Sequence, residues 1–187
     1  MKLGTPEIEL DEIDLGILAL LQENCRTPLA RIGEQVDLTP PSVIERVKKL
    51  EDSGVIRGYH AILDARLLGM DITAFIGVSV SHPRLIEAFE HEVDQIEDVL
   101  ECHHVTGGYT LLLKVKSVNT SSLEALISRL RSINGVEKTE TMVVLSTKTE
   151  RSQVKLPAMP TPPLGGDAPT ADRKSRRNVV ARTRVAS

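Results

Sequence analysis

The stretch TPLARIGEQVDLTPPSVIERVKKLEDSGVI, residues 27–56, decides the fold of the N-terminal part of the chain. It twice sets Thr-Pro ahead of an amphipathic segment, at Thr27-Pro28 and at Thr39-Pro40. Thr is a favoured N-cap, and Pro suits the first helical position because that N–H has no intrahelical partner. The spacing predicts one helix from Pro28 to about Asp37, burying Leu29, Ile32 and Val36. A second helix starts at Pro40 and buries Val43, Val47 and Leu50. Gly54 can adopt the positive φ that ends such a helix. Two short helices joined at Asp37-Leu38 have the proportions of a helix-turn-helix.

Upstream, Ile13, Ile17, Leu20 and Leu21 form an apolar stripe on a helix beginning near Asp11. Gly16 inside it costs about 1 kcal/mol relative to Ala, so packing must carry this helix. Downstream, residues 55–59 and 61–63 read as two short strands of a hairpin. In a helix-turn-helix the start of the second helix enters the major groove. There Ser42, Glu45, Arg46 and Lys49 share one face, apart from the apolar stripe. Arg46 and Lys49 suit guanine edges or phosphates, Ser42 either, and Glu45 a cytosine amino group. Lys48 and Arg57 suit phosphate contacts, which position without specifying. Thr39 caps the reading helix.

The next segment changes rhythm. Ile72, Ala74, Ile76, Val78 and Val80 alternate as a half-buried strand does. Pro83 opens a helix with Leu85, Ile86, Phe89 and Val93 on one face. Strands follow at 99–105 and 110–116, joined through Thr106-Gly107-Gly108-Tyr109. A helix runs from Asn119 to Ile133, stopped by Asn134-Gly135, and a strand covers 136–147. The order βαββαβ is the ferredoxin-like arrangement.

The chain has 187 residues and a net charge of −3, which on its own argues against a nucleic-acid partner. The charge is unevenly divided. Residues 1–64 carry −5, residues 65–156 carry −2 and residues 157–187 carry +4. An acidic reading module must bind through a narrow face, repeated by oligomerisation. The basic tail, rich in Pro, Gly, Ala and Thr, is too poor in apolar residues to order itself. Aromatic residues make up only 2%, which excludes a base-stacking platform. No apolar run approaches the ~20 residues of a membrane span. Cys25 and Cys102 fit no disulfide framework, which predicts a reducing cytoplasm.

The glycine turn at 106–110 is the second candidate site. Gly107 and Gly108 allow close approach and expose amide N–H groups that suit a carboxylate. Thr139 and Thr141 share a face of the last strand and complete the candidate set. A plain hairpin turn and strand edge explain the same residues equally well. His103 and His104 point to opposite sides of a strand, so no metal site follows. No cofactor motif, nucleophile elbow or paired-carboxylate motif emerges, which predicts a non-enzyme.

Residues 10–64 closely resemble the winged helix-turn-helix of the Lrp/AsnC, or feast/famine, transcriptional regulators. VLECHHVTGGYTLLLKV (99–115) and GVEKTETMVVL (135–145) resemble that family's effector-sensing domain. The resemblance covers about residues 10–156. It implies an α+β chain in three parts: a winged helix-turn-helix over 10–66, a ferredoxin-like effector and oligomerisation domain over 67–156, and a disordered basic tail over 157–187. It implies homodimers that assemble into tetramers or octamers, double-stranded DNA as partner, and an amino acid or related metabolite bound between dimers. It places the effector turn on Gly107, Gly108, Tyr109 and Thr110. Family members commonly carry an Asp where this chain has Thr110, and a neutral hydroxyl holds an ammonium more weakly. The expected function is sequence-specific regulation of amino-acid metabolism in the cytoplasm, on the nucleoid. The alternative is an effector-independent nucleoid-architectural protein.

Overall fold

The computed structural model describes residues 8–157. The expected tail, from residue 158 onward, lies outside them. The described chain forms two units. Residues 8–61 and 151–157 make one, and residues 62–150 the other.

The first unit holds α1 (Glu12–Glu23), α2 (Leu29–Val36) and α3 (Pro40–Asp52). Asp11 caps α1: its side chain accepts from the Asp14 amide at 2.8 Å, and Asp14 reaches back to the Asp11 amide. Helix α2 begins one residue later than the Thr27 cap implied. Pro28 is its N-cap, and the Thr27 hydroxyl donates to the Asn24 carbonyl instead. Thr39 does precede α3, but its hydroxyl pairs with Ser42 Oγ at 2.9 Å rather than with a backbone amide. Between α2 and α3, Asp37 takes a left-handed conformation, φ 55°. Asp tolerates that region better than most residues. The core is Leu15, Ile17, Leu18, Ile32, Val43 and Leu50. Its centre on α1 lies nearer Leu15 and Leu18 than the Ile13–Leu21 stripe suggested, because α1 packs against both other helices.

The wing forms no strands. Val55 and Ile56 turn onto the helical core, and the Ile56 amide donates to the Leu50 carbonyl at 3.0 Å. Residues 57–64 are exposed throughout. With no buried face, a two-stranded ribbon has nothing to hold it. Residues 151–156, expected in the second domain, belong to the first unit. The Gln22 side chain holds Val154 by both amide atoms, at 2.8 and 3.2 Å, and Leu156 packs on the helical core.

The second unit follows the expected βαββαβ order. It comprises β1 (Ile72–Val80), α4 (Ile86–Asp94), β2 (Val99–His104), β3 (Leu111–Ser117), α5 (Thr120–Ser132) and β4 (Val136–Val143). The sheet order is β2-β3-β1-β4, and every pairing is antiparallel. Ala74, Ile76 and Val78 from β1, with Leu111, Leu113 and Val115 from β3, bury one face under α4 and α5. Neither helix of this unit covers the opposite face, which carries Phe75, Gly77, Leu112 and Met142. No helix among the described residues is long and apolar enough to cross a membrane.

Candidate nucleic-acid interface and effector turn

Helix α3 presents one exposed side. Thr39, Glu45, Lys48, Lys49 and Arg57 are exposed, and Ser42 is half-buried. Pro40 starts the helix as expected, and Gly54 ends it at φ 74°. Arg46 departs from the expected set. At 100° per residue it lies about 60° from Val43, whereas Glu45 lies about 160° away. Arg46 therefore flanks the buried stripe and turns toward α1. Its Nη1 donates to both carboxylate oxygens of Asp11, at 2.8 and 2.7 Å, and to Asp14 Oδ1 at 2.8 Å. Asp14 is fully buried, and Lys49 Nζ stands 3.6 Å from its other oxygen.

The electrostatics follow from this packing. Burial pushes the Asp11 carboxyl up, but the Asp14 amide and the Arg46 guanidinium outweigh it and hold the pKa below the ordinary range. Partial burial would lower the Arg46 pKa, yet the two carboxylates raise it further. Charge-assisted bonds of this length are the strong kind. The acidic pair was the residue set that sequence reasoning missed. Its only trace was two carboxylates three residues apart at a helix start, which also reads as an ordinary capping box. Ile44 was missed as well. It is 51% exposed on α3, off the apolar stripe, and a methyl-bearing side chain there suits a thymine methyl.

In the second unit the turn 106–110 connects β2 to β3. Gly107 has φ 122°, which requires glycine, and a side chain at Gly108 would meet nothing within 4 Å. None of the amides from Thr106 to Tyr109 donates to another backbone carbonyl of the described residues. Thr110 is committed to the sheet. Its amide donates to the Val78 carbonyl at 2.9 Å, and its Oγ1 accepts from the Val80 amide at 3.1 Å. The β1–β4 register shifts between Ser79 and Val80, so the hydroxyl satisfies an amide beside that irregularity.

Tyr109 lies over Gly77. A Cβ built on Gly77 would stand 2.6–2.8 Å from three atoms of the tyrosine ring, so only glycine leaves room. The Tyr109 hydroxyl and the Glu140 carboxylate are neighbours on this face. Their interaction raises the tyrosine pKa and holds Glu140 below the ordinary carboxylate range. Glu140 is opposite Gly77 in the ladder, on the open face. Thr139 and Thr141 are opposite Val78 and Ile76, on the helix-covered face. Thr139 Oγ1 accepts from Arg131 Nε of α5 at 2.8 Å. The sheet thus separates both threonines from Tyr109. The period-two alternation grouped them with each other correctly, but could not say which face the turn joins.

Cys25 and Cys102 are exposed free cysteines, and partial desolvation of the Cys102 thiol, followed by the nearby Glu90, pushes its pKa up. Among the described residues no group of three or more His, Cys, Asp or Glu side chains could hold a metal ion.

Comparison with known proteins matches both units. The AsnC-type helix-turn-helix domain model matches residues 10–51, and the Lrp/AsnC ligand binding domain model matches residues 73–154. The HTH-type transcriptional regulator FL11 of Pyrococcus abyssi is 35% identical over 149 residues, covering 80% of this chain and 98% of that protein. The structure of Escherichia coli AsnC superposes with a TM-score of 0.71 at 28% identity, over 76% of this chain and 97% of that one. A transcriptional regulator of Neisseria meningitidis, solved as a complex with L-Met, gives a TM-score of 0.73 at 30% identity, over 78% and 96%. With both domains matched in order, this chain belongs to the Lrp/AsnC family of transcriptional regulators.

Proposed function

We propose that this chain reads operator DNA sequence-specifically and regulates genes of amino-acid metabolism. On this reading an amino acid or related small metabolite, bound between dimers of a homo-oligomer, tunes the response. The observation that carries the proposal is one chain joining an exposed reading helix to a separate unit whose glycine turn offers unpaired amides. In the major groove, Ser42, Glu45, Lys49 and Ile44 of α3 meet base edges. Thr39, Lys48 and Arg57 meet phosphates.

The effector's carboxylate takes the amides of Gly107 and Gly108, beside Tyr109 and Thr110. The L-Met complex of the Neisseria relative supports an amino acid as ligand class. Thr110 Oγ1, already accepting from the Val80 amide, keeps its hydroxyl proton and one lone pair for a ligand, and no charge. Glu140, close by on the open face, supplies the carboxylate that could meet an ammonium. Thr139 and Thr141, on the covered face, take no part. A ligand acts here only through a difference in affinity between two arrangements of the assembly. Dimers pair two reading helices on a pseudo-palindromic site, as two-fold symmetry requires.

The test is a titration with the twenty amino acids, reading heat of binding, sedimentation and affinity for a selected operator duplex. At least one amino acid binds and changes operator affinity or assembly. Binding that leaves both untouched refutes the coupling, and no binding refutes the ligand.

A further inference from the structure

We propose that Asp11, the N-cap of α1, and Asp14 in its first turn are positioning residues for DNA recognition, acting through Arg46, which ties the reading helix down instead of reading a base. The proposal rests on α3 being the reading helix. Asp14 is fully buried, with its carboxylate among Arg46 Nη1 at 2.8 Å, Lys49 Nζ at 3.6 Å and the Asp11 amide at 3.3 Å. A buried carboxylate is tolerated only with such partners. Arg46 Nη1 meets three carboxylate oxygens within 2.8 Å, so that end of the guanidinium faces α1.

This arrangement sets the rotation of α3 about its own axis. Ser42 lies one turn before Arg46 and Lys49 nearly one turn after it, so both take their direction from the tie. Asp11 adds a second link: the same carboxylate that caps α1 also grips Arg46, which couples the start of α1 to the middle of α3. A recognition group held loosely by its supporting residues loses specificity even when it is present.

Charge alone predicts the opposite outcome. Residues 1–64 carry a net −5, and each acidic residue there repels phosphates. Removing one should then tighten binding to every duplex. A positioning role predicts that Asp11→Asn loses discrimination while binding to unrelated DNA holds or tightens.

The experiment uses the full chain and a duplex that the wild-type chain selects from a random pool, set against a scrambled duplex. Asp11→Asn, Asp14→Asn, Arg46→Met and the double variant Asp11→Asn/Arg46→Met are compared by salt titration, with circular dichroism verifying the fold. The selected-over-scrambled ratio should fall about tenfold in Asp11→Asn and in Arg46→Met, the loss of roughly one base contact. The double variant should be no worse than Arg46→Met, and the salt slope should be unchanged. If Asp14→Asn unfolds, Asp11→Asn carries the test, since its carboxylate is 27% exposed. A ratio retained in Asp11→Asn overturns the proposal, whatever happens to thermal stability. A salt slope flattened by about one in Arg46→Met also overturns it, because Arg46 then touches phosphate. So does a loss confined to one base pair in Arg46→Met and absent in Asp11→Asn. If the wild-type chain enriches no duplex, the sequence-specific reading itself fails and takes the proposal with it.

Discussion

Gly33→Ala tests the packing that makes the two helices a reading unit. Gly33 is the fifth residue of α2, where the chain doubles back into α3. Its carbonyl accepts from the Leu38 amide at 2.9 Å, which draws the turn against the helix. A Cβ at position 33 would stand 2.5 Å from the Leu38 carbonyl oxygen and 3.5 Å from Val43 Cγ2. The nearest atom is backbone, so no side-chain rotation relieves the clash. With backbone as the obstacle, the cost falls in the upper part of the usual overpacking range, about 2–3 kcal/mol. Replacing a helical glycine by alanine returns about 1 kcal/mol. The balance is a loss of about 1–2 kcal/mol, with sterics deciding the sign. For a unit of this size each kcal/mol moves the melting temperature by roughly 4–8 °C, so the first unit should melt about 5–15 °C lower. Thermal unfolding of the full chain by circular dichroism reads this, with the sheet unit's transition as internal reference. Gly16→Ala is the control. Its Cβ would stand 3.2 Å from Val36 Cγ1, a side-chain methyl that can give way, and the change should be near neutral. An unchanged or raised melting temperature in Gly33→Ala would refute the reasoning, as would an equal drop in both transitions.

Other consequences are open to measurement. Ser117→Ala should stabilise the sheet unit by about 1 kcal/mol in denaturant unfolding, because the Ser117 hydroxyl is buried with no hydrogen-bond partner among the described residues; a loss of stability would show a partner in solution. Tyr59 has its pKa pushed up to about 12, first by partial desolvation of its hydroxyl and then by its bond to Glu51. A folded value raised above about 10 means its contribution to stability is full below pH ~10 and is lost as pH rises through about 12. Phenolate absorbance in a Tyr109→Phe background should show that midpoint, and one near 10 in the folded chain would contradict it. Gly77→Ala should displace the Tyr109 ring, separate it from Glu140 and return the Tyr109 pKa toward its ordinary value. An unmoved phenolate titration in a Tyr59→Phe background would mean that Gly77 is no seat.

Local signals on this chain are strong, which is why most elements could be read from it. Two Thr-Pro steps, Asn134-Gly135 and the alternation from Ile72 to Val80 are rules of neighbours a few residues apart. Helix starts, strand faces and the βαββαβ order follow from such rules, and so does the exposed side of α3. The wing shows where a local signal fails. Residues 55–63 are apolar enough to be strands, yet a strand needs a partner and a buried face, and here Val55 and Ile56 are used by the helical core.

The candidate sites divide in the same way. Residue types and helical spacing grouped Ser42, Glu45, Arg46 and Lys49 on one face and gave Lys48 to phosphates, without any knowledge of their surroundings. The fate of Arg46 depended on Asp11 and Asp14, more than thirty residues away in sequence, because a charged side chain flanking a core takes whichever partner the packing brings. The glycine turn was plain as a turn. Which groups it meets, Gly77 and Glu140 on the open face and not Thr139 and Thr141 behind the sheet, was settled by the pairing of β1 with β4. The quoted stretch thus determined that there are two helices and a tight turn between them. The rotation of the second helix was set by a carboxylate pair on a third, since rotation about a helix axis is a property of contacts between elements and no element carries it alone.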